Sequence, residues 1–146
     1  MIDAVNEMIL VVDELDSKID DLILDLVREN EEYVLELNVD EQLYLGIDSK
    51  GNEIFPKYSP STIRTKRRKG QPYDRVTLND TGEFYESFTI GYSNNHFVIE
   101  AADPKKQYLV RRYGKEIFGL TPENILKLSE YLAPIFYERA KALLIT

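Results

Sequence analysis

Seven apolar residues near the start of the chain, Val5, Met8, Val12, Leu15, Ile19, Leu22 and Leu26, recur at alternating intervals of three and four. In a helix of 3.6 residues per turn this spacing lays them along one stripe. Asp13, Glu14, Asp16, Asp20, Asp21 and Asp25 fall mostly on the other faces. A strand would scatter the same residues over both of its faces, so residues 1–35 are predicted to form one acidic amphipathic helix. Two packings fit it: a helix laid on its own domain, or a coiled-coil seam. Ile9, Val11, Ile23, Leu24 and Val27 widen the stripe beyond the two positions a seam needs, which favours the first.

Such a stripe must be covered, and the rest of the chain supplies the cover. Thr121 followed by Pro122 marks a helix start. Beyond it Ile125, Leu128, Leu132, Ile135, Phe136, Ala140 and Leu143 define a buried face, with a kink expected at Pro134. "FTIGYS" and "HFVIEAA" alternate in hydrophobicity around "SNN", the pattern of a hairpin. Between these, "DSKGNE" reads as a turn, "DRVTLND" as a short strand, and "DTGEFYESF" as a short helix whose Asp80 and Glu83 have capping-box spacing. "QYLVRRYG" reads as a turn or two of helix closed by Gly114. The predicted fold is α+β, a small antiparallel sheet packed against long N-terminal and C-terminal helices, because a hairpin with one apolar face needs helices over it. At 146 residues the chain is read as a single domain, with residues 78–146 holding the hairpin and the C-terminal helices.

Charge is unevenly placed. The net charge is -8, yet residues 1–40 carry 13 acidic and 2 basic side chains while residues 41–146 carry 13 acidic and 16 basic. Complementary charge sets orientation and partner choice, so the asymmetry points to head-to-tail contact between copies or to docking on a partner of opposite sign. There is no cysteine, which excludes disulfides and thiolate zinc sites and suits a reducing cytoplasm. "MILVV" falls far short of the roughly 18 apolar residues a membrane span needs, and acidic residues flank it where a signal peptide carries basic ones. The sequence therefore reads as soluble and unprocessed, with no membrane partner.

The positive charge concentrates in "RTKRRK", which contains Arg64, Lys66, Arg67, Arg68 and Lys69, with Arg75 as an outlying contact. Ser59 and Pro60 suit the cap and first residue of a short helix that Gly70 could end. The proline and glycine of "KGQPYD" make residues 56–77 a basic, mobile loop region whose ordering would be coupled to docking. The expected partner is an acidic protein surface. The alternative is a nucleic-acid-binding module built on the run at 64–69, which the acidic first 40 residues oppose unless held about a Debye length, roughly 8 Å, from the phosphates. His96, the only histidine, falls in the predicted hairpin turn and is expected to be exposed. No phosphate-binding glycine loop, paired-histidine motif or nucleophile elbow occurs. Neither an enzyme nor a cofactor nor a metal is predicted, and a hydrolase assembled from dispersed carboxylates has no feature in its favour.

Taken in order, "YSPSTIRTKRRKG", "VTLNDTGEFYESFTI", "YLVRRYGKEIFGLTPENI" and the closing helix resemble the tail-completion, or virion-morphogenesis, proteins of tailed bacteriophages. These include the phage Mu type and the related neck and tail-component proteins of siphophages. The resemblance spans roughly residues 41–146 and rests on Leu78, Thr81, Gly82 and Ser87, on Tyr108 and Gly114, and on Gly119 in "FGLTPENI". Phe84 and Tyr85 depart from it, standing where many relatives carry aliphatic residues. Chemistry gives the motif structural roles: Asp80 and Thr81 to satisfy free amides at a helix start, Gly82 to admit a neighbouring strand, Ser87 to bond back to the helix as it ends. The resemblance implies a non-enzymatic virion assembly protein at the tail end or the head–tail neck, acting in tail completion or head–tail joining. It would form a homo-oligomeric ring, touch other tail or neck proteins and, in passing, packaged DNA, and be assembled in the host cytoplasm.

Overall fold

The computed structural model describes residues 2–145, with side chains from Leu15 onward. Helix α1 (Ile2–Glu29) is followed by α2 (Glu31–Val39), a 3-10 turn (Leu43–Leu45), α3 (Pro60–Arg68) and the one-turn α4 (Glu83–Glu86). The hairpin β1 (Phe88–Ser93) and β2 (His96–Ala101) comes next, then α5 (Lys106–Tyr113), a second 3-10 turn (Lys115–Ile117) and α6 (Pro122–Ile145). This is the α+β architecture that the periodicities predict. The predicted single helix over 1–35 is instead two: Asn30, at φ -125°, leaves the helical path, and its side-chain amide donates back to the Leu26 carbonyl at 2.8 Å. An asparagine that can bond its own backbone competes with the helix at that point.

Along α1, Leu22 and Leu26 of the stripe are buried, Leu15 and Ile19 are half-buried, and Val5, Met8 and Val12 lie outside the residues whose side chains are described. Leu24 and Val27 are also buried, whereas Ile23 is exposed. Leu22, Leu26 and Val27 meet Val34 and Leu37 of α2, Leu128 and Leu132 of α6, and the inner face of the hairpin in one core. The strands pair antiparallel, with Phe88 opposite Ala101, Ile90 opposite Ile99 and Tyr92 opposite Phe97, so one face of the ribbon is apolar. Each fully buried leucine or phenylalanine contributes about 1.5–3 kcal/mol. Phe84 sits edge-on to Phe88 at 5.1 Å between ring centroids, and Phe88 lies 5.4 Å from Phe118. These contacts explain why an aromatic residue suits position 84.

Polar contacts fix how the layers meet. The Tyr92 hydroxyl donates to Glu31 Oε1 at 2.5 Å, and the Arg28 guanidinium lies 4.4 Å from the centre of the same ring. Desolvation, and then the hydrogen bond to Glu31, push the Tyr92 hydroxyl well above the usual phenol range. Arg139 of α6 grips Glu29 of α1 through two hydrogen bonds of 2.9 and 2.7 Å.

The deepest polar set joins α2 to the chain ahead of α6. Asn38 and Gln42 are both almost fully buried. The Asn38 amide donates to the Ile117 carbonyl at 3.0 Å, and its oxygen accepts from the Gly119 amide at 2.8 Å. Gln42 donates to the Gly119 carbonyl at 2.8 Å, and its oxygen accepts from Thr121 N and Asn124 Nδ2, each at 2.9 Å. Gly119 has φ 108°, a backbone state that side chains rarely adopt, which lets both its amide and its carbonyl face α2. Thr121 then starts α6 as predicted, its hydroxyl accepting from the Asn124 amide at 3.1 Å.

Two expectations about packing are corrected. "DRVTLND" is not a strand: the Thr77 amide donates to the Tyr58 hydroxyl at 3.0 Å and its carbonyl accepts from the Tyr85 hydroxyl, so tyrosines take the bonds a neighbouring strand would. Leu78, at φ 58°, then turns the chain out of β geometry. Burial raises the Tyr85 hydroxyl far above the usual phenol range. On α6, Leu128 and Leu132 are buried and Ile135, Phe136, Ala140 and Leu143 pack against the core, but Ile125 is 52% exposed. It opens onto a groove between α1, the hairpin and α6 that Ile23 and Val98 also line. Pro134 is accommodated inside the helix.

Candidate partner-binding surface

Within residues 56–77 the basic run lies on and just after α3, the short helix that Ser59 and Pro60 predict. Ser59 caps it, its hydroxyl accepting from the Thr62 amide at 3.3 Å, and Pro60 supplies a preset first residue. Lys66, Arg67 and Arg68 fall in the last turn, where the helix dipole favours positive charge. Gly70, at φ 71°, follows the last helical residues, as the sequence suggested.

A helix turns successive side chains in different directions, and the cations of the run at 64–69 divide accordingly. Lys66 points inward and is 7% exposed. Its ammonium donates to the Asn79 carbonyl at 2.8 Å and to Gln71 Oε1 at 3.4 Å, and lies 5.0 Å from the centre of the Tyr58 ring. Lys66 is thus a structural residue and not the surface contact its place in the run suggests. Lys69 pairs with Asp80 at 2.9 Å, and Arg67 stacks on Tyr73 at 4.6 Å. Arg75 is half-buried, donating through Nε to the Tyr44 carbonyl at 2.7 Å and through Nη1 to Asp74 at 2.8 Å. Arg64 and Arg68 are exposed and form no ion pair among the described residues.

Between α3 and α5 lies a groove of about 370 Å³. Ser61, Thr62, Thr65 and Lys69 of α3 and the segment after it form one wall, and Lys105, Leu109 and Tyr113 the other. Leu78, Asn79 and Phe84 lie at its base. Among the described residues Asp80 is its only carboxylate, and the hydrogen bond from Lys69, with further attraction from Lys66 and Lys105, holds it below the usual aspartate range. Asn79 Oδ1 is buried here without a hydrogen-bond partner among the described residues.

The motif residues named from the resemblance frame this groove. Leu78 is buried, and the Thr81 hydroxyl accepts from the Glu83 amide at 3.3 Å. Gly82, at φ 91°, is itself the cap of α4, and no strand approaches it: an added Cβ would meet only Glu86 Oε1, at 4.0 Å. The expected capping box of Asp80 and Glu83 does not form, because α4 starts only at Glu83 with Gly82 as its cap, and Asp80 pairs with Lys69 instead. Ser87 closes α4 as expected, its hydroxyl donating to the Phe84 carbonyl at 2.7 Å. Gly114 ends α5, Gly119 carries the contacts to α2, and Tyr108 is exposed on α5.

His96 is exposed at the hairpin turn. Among the described residues no group of three His, Cys, Asp or Glu side chains is placed to hold a metal ion, and no helix is long and apolar enough to cross a membrane. Compared with models of known protein families, with characterised proteins and with solved structures, the chain finds no match.

Proposed function

We propose that the protein is a non-enzymatic virion assembly subunit of a tailed bacteriophage. It acts at the tail end or the head–tail neck, in tail completion or head–tail joining, through ordered self-association. The virion setting comes from the motif resemblance. The observation that carries the mechanism is the separation of charge onto different elements: an acidic α1 and α2, and a folded basic α3 whose Arg64 and Arg68 stand exposed with no ion pair among the described residues. A subunit with opposite charges on separate faces has the complementarity that orients like copies head to tail. The basic face thus serves protein contact, either on a neighbouring copy or on an adjoining tail or neck protein.

The test uses Arg64→Ala, Arg67→Ala and Arg68→Ala together. All three side chains lie on the surface, so the subunit's stability should change by no more than about 0.5 kcal/mol per site. Electron microscopy of particles made with the triple variant should show unjoined heads and tails. Normally joined particles, alongside duplex-DNA binding that weakens steeply with salt and disappears in the variant, would replace this reading with the nucleic-acid one.

A further inference from the structure

We infer that the groove between α3 and α5 receives the N-terminal half of α1 from a second copy of this chain. The inference rests on the self-association reading and assigns it both of its surfaces. The groove has the chemistry of a receptor for an acidic amphipathic helix. Its rims carry Lys69 and Lys105 against the single carboxylate of Asp80, and Leu109, Tyr113 and Leu78 provide apolar surface between them. Lys66 lies deeper in the same groove and adds to the positive charge of its lining. The lysines outnumber the carboxylate, leaving positive charge for a ligand to neutralise.

Residues 2–21 fit as that ligand. They carry seven acidic side chains and one basic, and the apolar repeat Val5, Met8, Val12, Leu15 and Ile19. Among the described residues α1 enters its own buried core from Leu22 onward; Leu15, Ile19 and Asp20 are half-buried, and Asp16, Ser17, Lys18 and Asp21 are exposed. The helix is unbroken from Ile2 to Glu29, and its far end is fixed to α6 through Glu29 and Arg139. Twenty residues of helix extend about 30 Å. None of the α1 residues whose side chains are described lines this groove in its own subunit. A neighbour's groove is therefore the complementary partner, and a helix laid in an apolar groove between charged rims is a recurring recognition mode. Repetition of the contact generates a ring, whose smallest form is a pair exchanging helices, or an open filament.

The experiment is reciprocal charge reversal in the full chain, followed by sedimentation velocity, with circular dichroism to confirm folding. One variant reverses the groove (Lys69→Glu with Lys105→Glu) and the other reverses the helix (Asp13→Lys, Asp16→Lys and Asp20→Lys). The native protein should associate in about 0.1 M salt and less so in about 1 M, where the Debye length shrinks from about 10 to about 3 Å. Each variant alone should associate about tenfold or more weakly. An equimolar mixture of the two should recover association, because each reversed surface then meets its complement. Unaltered association in either variant, or no recovery on mixing, overturns the inference while leaving self-association standing. A native chain that stays monomeric at low salt, with particles left unjoined by the groove variant, overturns the second copy as occupant in favour of another virion protein. Loss of duplex-DNA binding in the groove variant with self-association intact overturns it in favour of a nucleic-acid site.

Discussion

In the run from Arg64 to Lys69, charge is spent in four ways: Lys66 on the chain's own backbone, Arg67 on the Tyr73 ring, Lys69 on Asp80, and Arg64 and Arg68 on solvent. Lys66→Ala leaves the Asn79 carbonyl and Gln71 without their donor, so it should cost about 1–3 kcal/mol in urea melts. Arg68→Ala should cost no more than about 0.5 kcal/mol. Equal effects would contradict the division of roles. Asp80 gives a second check at this scale. Its folded pKa lies below the ordinary aspartate value of about 3.9, chiefly through the bond from Lys69. The stability it contributes is present above that ordinary value and is lost as pH falls through the depressed one. The pair is exposed, so the contribution is under about 1 kcal/mol. A carboxyl titration by NMR should place Asp80 below about 3.9, and Lys69→Ala should return it towards that value. The run's composition is plain in the sequence, but its division is not, because the acceptor of Lys66 is a main-chain carbonyl thirteen residues away.

Elements declared themselves where their signals are local. The stripe of α1, the alternation of the hairpin, and the Ser59–Pro60 and Thr121–Pro122 starts each lie within a few residues, and all appear in the fold. The break at Asn30 and the irregular path of Val76–Leu78 depend on bonds that the pattern of hydrophobicity does not encode. The two tyrosine hydroxyls that occupy Thr77, for example, come from Tyr58 and Tyr85. For α1 the burial gradient yields a ranking. Leu22→Asp should destabilise by about 3 kcal/mol or more, since a charge would enter the core. Leu15→Asp, at a half-buried position, should cost less, and Asp21→Ala, on the exposed face, no more than about 0.5 kcal/mol. Thermal melts that place Leu15→Asp above Leu22→Asp would show that the packed part of α1 begins earlier.

Across the whole molecule, α2 and the start of α6 are joined by Asn38 and Gln42, whose partners lie some eighty residues away in the chain. No reading of local periodicity could find that pairing. Gln42→Leu would strip the Gly119 carbonyl, the Thr121 amide and the Asn124 side chain of a partner at once. Each such orphan costs about 1–3 kcal/mol, so the loss should reach about 3 kcal/mol. It should also speed hydrogen exchange at Gly119 and Thr121 before the hairpin is affected. Most of these bonds end on main-chain atoms, and that has a consequence for kinship. Phe118 and Leu120 can drift to other residues without disturbing the bonds to the backbone around them, whereas the amides reaching in from α2 cannot be exchanged. Distant cousins of this chain would therefore share a short spaced signature and little else: Asn-x-x-x-Gln running from a helix end into the turn after it and, far downstream, Gly-x-Thr-x-x-Asn at the mouth of another helix.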